Sequence, residues 1–193
     1  MRRLRAPVDG EQDTADETAL VDAARVDPAA FGLLYRRYRD RVYAYLRGRT
    51  DSDDDAADLT QQVFLQALDA LPRYRGGDAA FAAWLFRIAR NSAINVGSRR
   101  PATVAWENVP EGLHPQADDD LMAGLLRREE TGRLRTLVAA LPADARELLA
   151  LRFAARLSTA EIAVVLGTSD TVIRKRLSRL MRTLQEQYHD DAR

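Results

Sequence analysis

The C-terminal quarter of the chain has hydrophobic residues at helical spacing in two runs that a glycine separates. In the first run, Ile162 and Val165 lie on one helical face. Ser158 and Glu161 have the spacing of a capping box, which predicts a helix beginning near residue 159. Gly167 can adopt the left-handed conformation that ends a helix. The pattern therefore predicts a short helix followed by a tight turn.

The second run combines an apolar stripe with a strongly basic remainder. Thr168 or Ser169 can cap this helix. Its apolar residues recur every three or four positions, and so share one face; they are Ile173, Leu177, Leu180 and Leu184. The other faces are basic and carry no acid between Thr171 and Glu186. A short helix, a glycine turn and a basic second helix predict a helix-turn-helix, which places a helix in the DNA major groove.

The rest of the hydrophobic pattern is helical as well, with no alternation typical of strands. A weak helix is predicted at 14–26, and Asp27-Pro28 begins a second. The acidic run Asp51–Asp55 begins a third, which Pro72 ends. Asp78 is predicted to cap a fourth. The third helix is expected to bury Leu59, Val63, Phe64, Ala67, Leu68 and Leu71.

Helical periodicity stops between residues 101 and 120, where three prolines and an acidic triplet occur. Such a segment is typical of a flexible linker. The sequence therefore predicts an all-α fold of two small helical domains, at 12–100 and 121–190. Residues 1–11 are expected to be a disordered N-terminus.

Composition narrows the chemistry. The 193 residues include no cysteine and only two histidines, far apart in sequence, so neither disulfides nor a metal site are expected. No apolar run approaches the roughly 20 residues that span a bilayer, so no membrane insertion is expected. The basic N-terminus lacks the apolar run of a secretory signal. We therefore expect a cytoplasmic protein without a cofactor.

The formal net charge of zero conceals a segregation of charge along the chain. Residues 9–27 hold seven acids and one arginine, and residues 51–58 hold five acids and no base. In contrast, residues 84–100 hold four arginines and no acid, and residues 171–182 hold five bases and no acid. Two basic and two acidic segments indicate a protein that contacts both nucleic acid and a second kind of partner.

Four stretches together resemble a known family. They are FGLLYRRYRDRVYAYL, DAADLTQQVFLQAL, RYRGG followed by FAAWLFRIARN, and LSTAEIAVVLGTSDTVIRKRLSRL. The first three resemble region 2 of bacterial RNA polymerase sigma factors, and the last resembles the region 4 helix-turn-helix. With only a short linker between them, the arrangement resembles the extracytoplasmic-function (ECF) class. The resemblance implies a dissociable subunit that directs core polymerase to promoters and helps to open the −10 element.

The resemblance also implies partners. They are core RNA polymerase, through the clamp helices of its largest subunit and its beta flap, promoter DNA, and an anti-sigma factor as a further candidate. The implied polymerase-binding residues are Asp58, Gln61, Gln62 and Phe64. The family usually has glutamine-glutamate where this chain has Gln61-Gln62, so one charged contact is replaced by a neutral one. An ordinary solvated helix face is the alternative for these polar residues.

For the −10 element the chemistry requires arginines on phosphates and a pocket for a base that has left the stack. The residues implied by the resemblance are Tyr74, Arg75, Asp78, Phe81, Arg87, Arg90, Asn91, Arg99 and Arg100. The loop departs from the family, because Gly76-Gly77 is one residue longer than the usual single glycine. Trp84 has the i, i+3 spacing from Phe81 that more often indicates core packing than a platform for a base.

For the −35 element the resemblance points to the basic second helix. Its candidate base contacts are Thr171, Arg174, Lys175 and Ser178, and its candidate phosphate contacts are Arg176, Arg179 and Arg182. Arginine and lysine can bond the O6 and N7 atoms of guanine. Phosphate contacts position the helix but carry no sequence information.

Two other interpretations remain at this point. A stand-alone helix-turn-helix regulator would need the second domain but no polymerase-binding helix. An interaction adaptor would use the acidic helices without binding DNA. An enzyme is the least expected, because the sequence shows no metal-ligand cluster, no nucleophile with its base and no phosphate-binding loop.

Overall fold

The computed structural model describes residues 11–76, 80–97 and 132–190, and within these ranges every regular element is helical. The elements in chain order are α1 (Glu11–Ala24), α2 (Pro28–Arg47), α3 (Asp53–Ala70), a 3₁₀ turn (Leu71–Arg73), α4 (Phe81–Gly97), α5 (132–139), α6 (Ala143–Leu149), a π-helical turn (Ala150–Ala154), α7 (Thr159–Leu166) and α8 (Asp170–Asp190). The all-α prediction is confirmed. Asp78, Arg99, Arg100 and the predicted linker at 101–120 lie outside the described residues.

The helices of the N-terminal domain, α1 to α4, begin where side chains satisfy their first free amides. The Asp27 carboxylate accepts a hydrogen bond from the amide of Ala29 at 2.8 Å, as predicted from the Asp27-Pro28 pair. Ser52 caps α3 by accepting from the amide of Asp55 at 3.0 Å. The acidic first turn of α3 complements the helix dipole.

The α2–α3 corner is fixed by a buried arginine. Arg47 is buried, and its Nε lies 2.5 Å from the Asp53 carboxylate while its Nη1 donates to the Thr50 carbonyl at 3.1 Å. The hydroxyl of Tyr43 donates to the same carboxylate at 2.9 Å. The bonds from Arg47 and Tyr43 lower the pKa of Asp53. The corner therefore holds α2 and α3 antiparallel.

The core of the N-terminal domain lies between α2, α3 and α4. Its fully or almost fully buried side chains include Leu34, Tyr38, Val42, Tyr45, Leu46, Val63, Leu85 and Phe86. The prediction that Leu68 is buried is wrong, because 41% of its surface is exposed. Ala67 and Leu71 occupy the inward positions of that turn, and Leu68 lies beside them on the outer edge of the stripe.

The C-terminal domain, α5 to α8, contains the predicted helix-turn-helix. The amide of Glu161 donates to the Ser158 hydroxyl at 3.2 Å, and the amide of Ser158 donates to the Glu161 carboxylate at 2.7 Å, so both halves of the capping box form. Gly167 has a φ of +66° and ends α7. Ser169 then caps α8 by accepting from the amide of Val172 at 3.4 Å.

The two domains pack directly against each other. Helix α4 contacts α7, and α2 contacts the π-helical turn. Residues from both domains, among them Phe86 and Leu151, belong to one continuous buried cluster. The sequence pattern predicts two separate helical bodies, and it contains no signal for this shared core.

The positive φ of Gly167 generates the first prediction. A Cβ there meets no atom within 4 Å, so the cost of Gly167→Ala is backbone strain alone, about 1 kcal/mol of unfolding free energy. Gly32→Ala is the matched control, since Gly32 lies within α2 with only the flexible end of Arg36 at 3.8 Å. The control should raise the unfolding free energy by up to about 1 kcal/mol. Urea denaturation followed by circular dichroism measures both, and equal shifts in the two variants would contradict the prediction.

Candidate functional site

The outer face of α8 carries the candidate −35 residues. Thr171, Arg174, Lys175 and Ser178 are all exposed. Ile173 and Leu177 are buried on the opposite side of the helix. Burial of that apolar stripe against α7 therefore turns the polar side chains outward, where they form one surface, here called the α8 face.

Several arginines of α8 are engaged by carboxylates. Arg174 lies 2.5 Å from Asp170 one turn earlier in the helix, and Arg182 lies 3.9 Å from Glu186 one turn later. Arg176 forms an ion pair with Asp144 of α6 and is only partly exposed. A phosphate that bound these arginines would have to replace a carboxylate. Exposed ion pairs are weak, so exchanging the carboxylate for a phosphate costs little free energy.

The candidate polymerase-binding residues lie on α3. Asp58, Gln61 and Gln62 are all exposed. Phe64 is only 4% exposed. Its ring packs edge-on against Tyr35 at a centroid distance of 4.7 Å. The apolar stripe of α3 turns Phe64 into the core, as the hydrophobic pattern predicts, and there it supports the helix. The polymerase contact that the resemblance implies for Phe64 stays a prediction.

Sequence reasoning missed two residues on the same surface. Leu65 is 64% exposed and Leu68, as noted above, is also partly exposed. Leu65 follows Gln61 and Gln62 at spacings of four and three, and Leu68 follows Leu65 at a spacing of three, so all lie on one side of α3. We call Asp58, Gln61, Gln62, Leu65 and Leu68 the α3 face. The available signal was that Leu65 is apolar at a position where helical periodicity predicts a polar residue.

Three aromatic rings meet where the 3₁₀ turn approaches α4. Tyr74 lies 4.9 Å from Trp84 and 5.9 Å from Phe81, and Phe81 lies 5.3 Å from Trp84. Phe81 is 2% exposed and lies beneath the other two rings, and its part in a −10 pocket stays a prediction. Trp84 is partly buried against the core, and Arg75 is exposed beside the cluster.

Arg25, which directly follows α1, also contacts this cluster. The guanidinium of Arg25 lies 5.9 Å from the centre of the Tyr74 ring, and its Nη2 donates to the Tyr74 carbonyl. Burial raises the pKa of Tyr74, so its hydroxyl stays protonated at neutral pH. Sequence reasoning did not assign Arg25 a role. The signal was its position as the one base in an otherwise acidic segment.

On α4, the structure brings the candidate −10 arginines against the C-terminal domain. Arg87 Nη2 donates to the carbonyl of Val164 in α7 at 2.6 Å. Arg90 Nε lies 3.6 Å from the carboxylate of Glu147 in α6. Asn91 is exposed. Two of the predicted phosphate contacts are therefore occupied by groups of the same chain.

Among the described residues, no group of three or more histidines and carboxylates is placed to hold a metal ion. Over the same ranges, no helix is long and apolar enough to cross a membrane. The arrangement offers binding surfaces, with basic side chains on α4 and α8 and a polar and apolar face on α3.

Comparison with known proteins identifies the family of this chain. Residues 34–100 match the family model for Sigma-70 region 2, and residues 131–184 match that for Sigma-70, region 4. The ECF RNA polymerase sigma factor BldN of Streptomyces coelicolor is 33% identical over 187 residues, which cover 95% of this chain and 70% of BldN. The RNA polymerase sigma-H factor of Pseudomonas aeruginosa is 32% identical over 172 residues, which cover 85% of this chain and 89% of that factor.

A solved structure is similar over most of its length. CnrH in complex with the cytosolic domain of CnrY superimposes with a TM-score of 0.65 at 25% identity, covering 92% of this chain and 99% of CnrH. The matched family models, the relatives and the fold agree on one family. This chain therefore belongs to the sigma-70 family and is an RNA polymerase sigma factor of the extracytoplasmic-function class.

Proposed function

We propose that this sigma factor positions core polymerase through three separate surfaces. The α3 face binds the clamp helices of the largest subunit, α4 with its preceding loop binds the −10 element, and the α8 face reads the −35 element. The observation that carries the proposal is the α8 face itself, where a capped helix-turn-helix presents four polar side chains outward while their apolar neighbours are buried.

At the −35 element, Arg174 and Lys175 are the proposed base-reading residues, with Thr171 and Ser178 beside them. A bidentate arginine–guanine pair contributes roughly 1–3 kcal/mol of discrimination. Arg176, Arg179 and Arg182 are proposed to contact phosphates, which set the register of the helix on the duplex. The beta flap of polymerase is the proposed support for this domain.

At the −10 element, Tyr74 and Trp84 form the proposed platform for an unpaired base, with Arg75 and Asn91 as polar contacts. Aromatic rings bind unpaired bases by stacking, and this contributes roughly 1–3 kcal/mol per base. Arg87 and Arg90 are the proposed phosphate contacts on α4. Asp78, Arg99 and Arg100 keep their predicted roles in this element. Phe81 supports the platform from below.

At the polymerase, Gln61 and Gln62 are proposed to make neutral hydrogen bonds, and Leu65 adds an apolar contact between them. An exposed leucine on an otherwise polar face is typical of a docking surface. Separately, the similar protein CnrH was solved with the cytosolic domain of CnrY bound. We propose that a protein partner of that kind, an anti-sigma factor, also controls this chain, in the cytoplasm where polymerase acts.

Promoter-dependent transcription tests the proposal as a whole. Sequencing the transcripts that are initiated after overproduction of the chain identifies its promoters. Run-off transcription from those promoters, with purified core polymerase and the chain, is then measured. The chain should confer a defined start site on polymerase that lacks any other sigma factor. Failure to do so, with the chain folded and bound to core, would refute the proposed function.

Removing a basic side chain from the α8 face should weaken promoter reading specifically. Arg174→Ala or Lys175→Ala should each lower run-off transcription from a −35-dependent promoter by about tenfold, since each loses a base contact. Affinity for core polymerase should not change. Arg36→Ala on α2 is the matched control, because it removes the same charge from an exposed arginine that we assign to no contact. Loss of core binding in either α8 variant would show that this face binds polymerase.

The α3 face generates the complementary prediction. Gln62→Ala combined with Leu65→Ser should weaken binding to core polymerase by about tenfold, because a hydrogen bond and an apolar contact are lost. Fluorescence anisotropy of labelled chain titrated with core measures this affinity. Gln187→Ala, an exposed glutamine near the end of α8, should leave it unchanged. Normal core binding by the double variant would place the polymerase contact elsewhere.

A further inference from the structure

Arg25 contacts Tyr74 in two ways, although 49 positions separate them in the chain. Its Nη2 donates to the Tyr74 carbonyl, and its guanidinium carbon lies 5.9 Å from the centre of the Tyr74 ring. A guanidinium within about 6 Å of a ring centre is attracted to the ring electrostatically. A charged donor also makes a stronger hydrogen bond to a carbonyl than a neutral donor makes. Arg25 therefore restrains both the backbone and the ring of Tyr74.

The bond from Arg25 falls where the chain leaves the 3₁₀ turn. The Tyr74 amide donates to the Leu71 carbonyl at 3.0 Å, which closes the turn. Tyr74 itself is extended, with a φ of −64° and a ψ of 117°, so the turn ends at this residue. Its amide is thus fixed by the turn, and its carbonyl is fixed by Arg25. Together these two bonds set the direction in which the Tyr74 side chain leaves the backbone.

Arg25 is itself held in place by the corner between α1 and α2. Its amide donates to the Asp22 carbonyl at 3.4 Å, and its Nη1 lies 3.4 Å from the Asp22 carboxylate. The amide of Asp27, which caps α2, donates to the Ala23 carbonyl at 2.9 Å. An arginine that is already oriented loses less side-chain freedom when it bonds to Tyr74. The corner therefore aims the guanidinium at Tyr74.

Helix α1 provides a fixed base for this contact. Val21 and Ala24 are buried, and the buried carboxylate of Glu17 accepts a hydrogen bond from the Tyr38 hydroxyl of α2. The Tyr38 ring in turn lies 5.5 Å from Phe81, the ring beneath Tyr74 and Trp84. Helix α1 and the aromatic cluster are thus supported by the same part of the core.

The contact matters because Tyr74 forms one half of the proposed platform for an unpaired base. Tyr74 and Trp84 lie 4.9 Å apart, and both are only partly buried. Stacking requires a ring that is already in position when the base arrives. Arg25 precedes the first residue of the region 2 match, which begins at residue 34. It is therefore a support for the platform from outside the matched region.

We propose that Arg25 is a positioning residue for −10 recognition, which holds Tyr74 in the orientation that stacks on an unpaired base and does not contact the DNA itself. The inference rests on the proposed role of the Tyr74 and Trp84 platform. Loss of Arg25 then matters only while the Tyr74 ring is present, because the effect passes through that ring. The salt dependence of DNA binding stays the same, whereas loss of a phosphate contact lowers its slope by about one.

A double-mutant cycle in the holoenzyme tests this role. Core polymerase with the chain is titrated against a fluorescein-labelled 12-nucleotide single strand that carries the −10 sequence of a promoter identified by transcript sequencing. Tyr74→Ala should weaken binding at least about fivefold, because a stacking surface is lost. Arg25→Ala should weaken binding about fivefold in the wild-type chain but less than about twofold in the Tyr74→Ala chain. It should leave the slope of affinity against salt concentration unchanged.

The fluorescence of Trp84 in the free chain gives a readout that does not depend on DNA. The chain has two tryptophans, so Trp106→Phe leaves Trp84 as the sole one. In that background Arg25→Ala should shift the emission to longer wavelength, because the Tyr74 ring moves away from the indole and water takes its place. Arg25→Met removes the same donor but keeps the aliphatic stem, and it should give the same shift. Circular dichroism checks that both variants remain folded.

Arg39→Ala is the matched control, because Arg39 is exposed and, like Arg25, pairs with an acid close in sequence, Asp40. It should change neither the emission nor the affinity for the single strand. Equal losses from Arg25→Ala in the wild-type and Tyr74→Ala chains, or a salt slope lowered by about one, would show that Arg25 contacts DNA directly and would overturn the proposal.

The cycle also separates this inference from the proposed function on which it rests. If Tyr74→Ala is impaired but both Arg25 variants bind the single strand and emit like wild type, only the role of Arg25 is wrong. If Tyr74→Ala binds normally, the platform is not part of −10 recognition, and the inference fails together with that part of the proposed function.

Discussion

The burial of one apolar stripe per helix is the constraint on which both domains depend. Helices of eight to 21 residues, such as α7 and α8, are marginal in water by themselves and persist because tertiary packing covers that stripe. Once Ile173 and Leu177 are buried, the remaining faces of α8 are determined by geometry, and they are basic. The same holds for α3, where burial of Val63 and Ala67 turns the glutamines outward. Burial of the apolar stripe therefore also determines which side chains each helix exposes.

The contact surface between the two domains is a second constraint on the structure. Its apolar part, with Phe86 and Leu151 in one cluster, resembles a domain interior, but its rim is made of arginines that meet carbonyls and one carboxylate. Charged pairs in a partly buried rim gain little net stability over water, because desolvation offsets their attraction. Such a rim sets the geometry of the contact between the domains and adds little to its stability.

Much of this structure could be predicted from the sequence, for reasons that differ between elements. The capping box at Ser158 and the left-handed Gly167 are local signals, each carried by residues a few positions apart, and both are confirmed. The face of α8 followed from periodicity alone. Leu68 was misplaced because it lies at the edge of the apolar stripe, where a rotation of about 100° per helical residue turns a side chain out of the core. The contacts of Glu147 could not be predicted from the sequence, because its partners lie 57 to 102 positions away in the chain. Local sequence patterns carry no information on contacts at such separations.

The ion pairs between carboxylates and arginines give a physical interpretation of the zero net charge of the chain. A DNA-binding protein with a large positive charge attracts nucleic acid wherever it meets it, without regard to sequence. Here the acids are distributed so that they pair with arginines of the candidate binding surfaces, as Asp170 does with Arg174, Asp144 with Arg176 and Glu147 with Arg90. Under the proposed function, each of these carboxylates occupies a guanidinium that a DNA phosphate would take, so the phosphates must displace the carboxylates when the promoter binds.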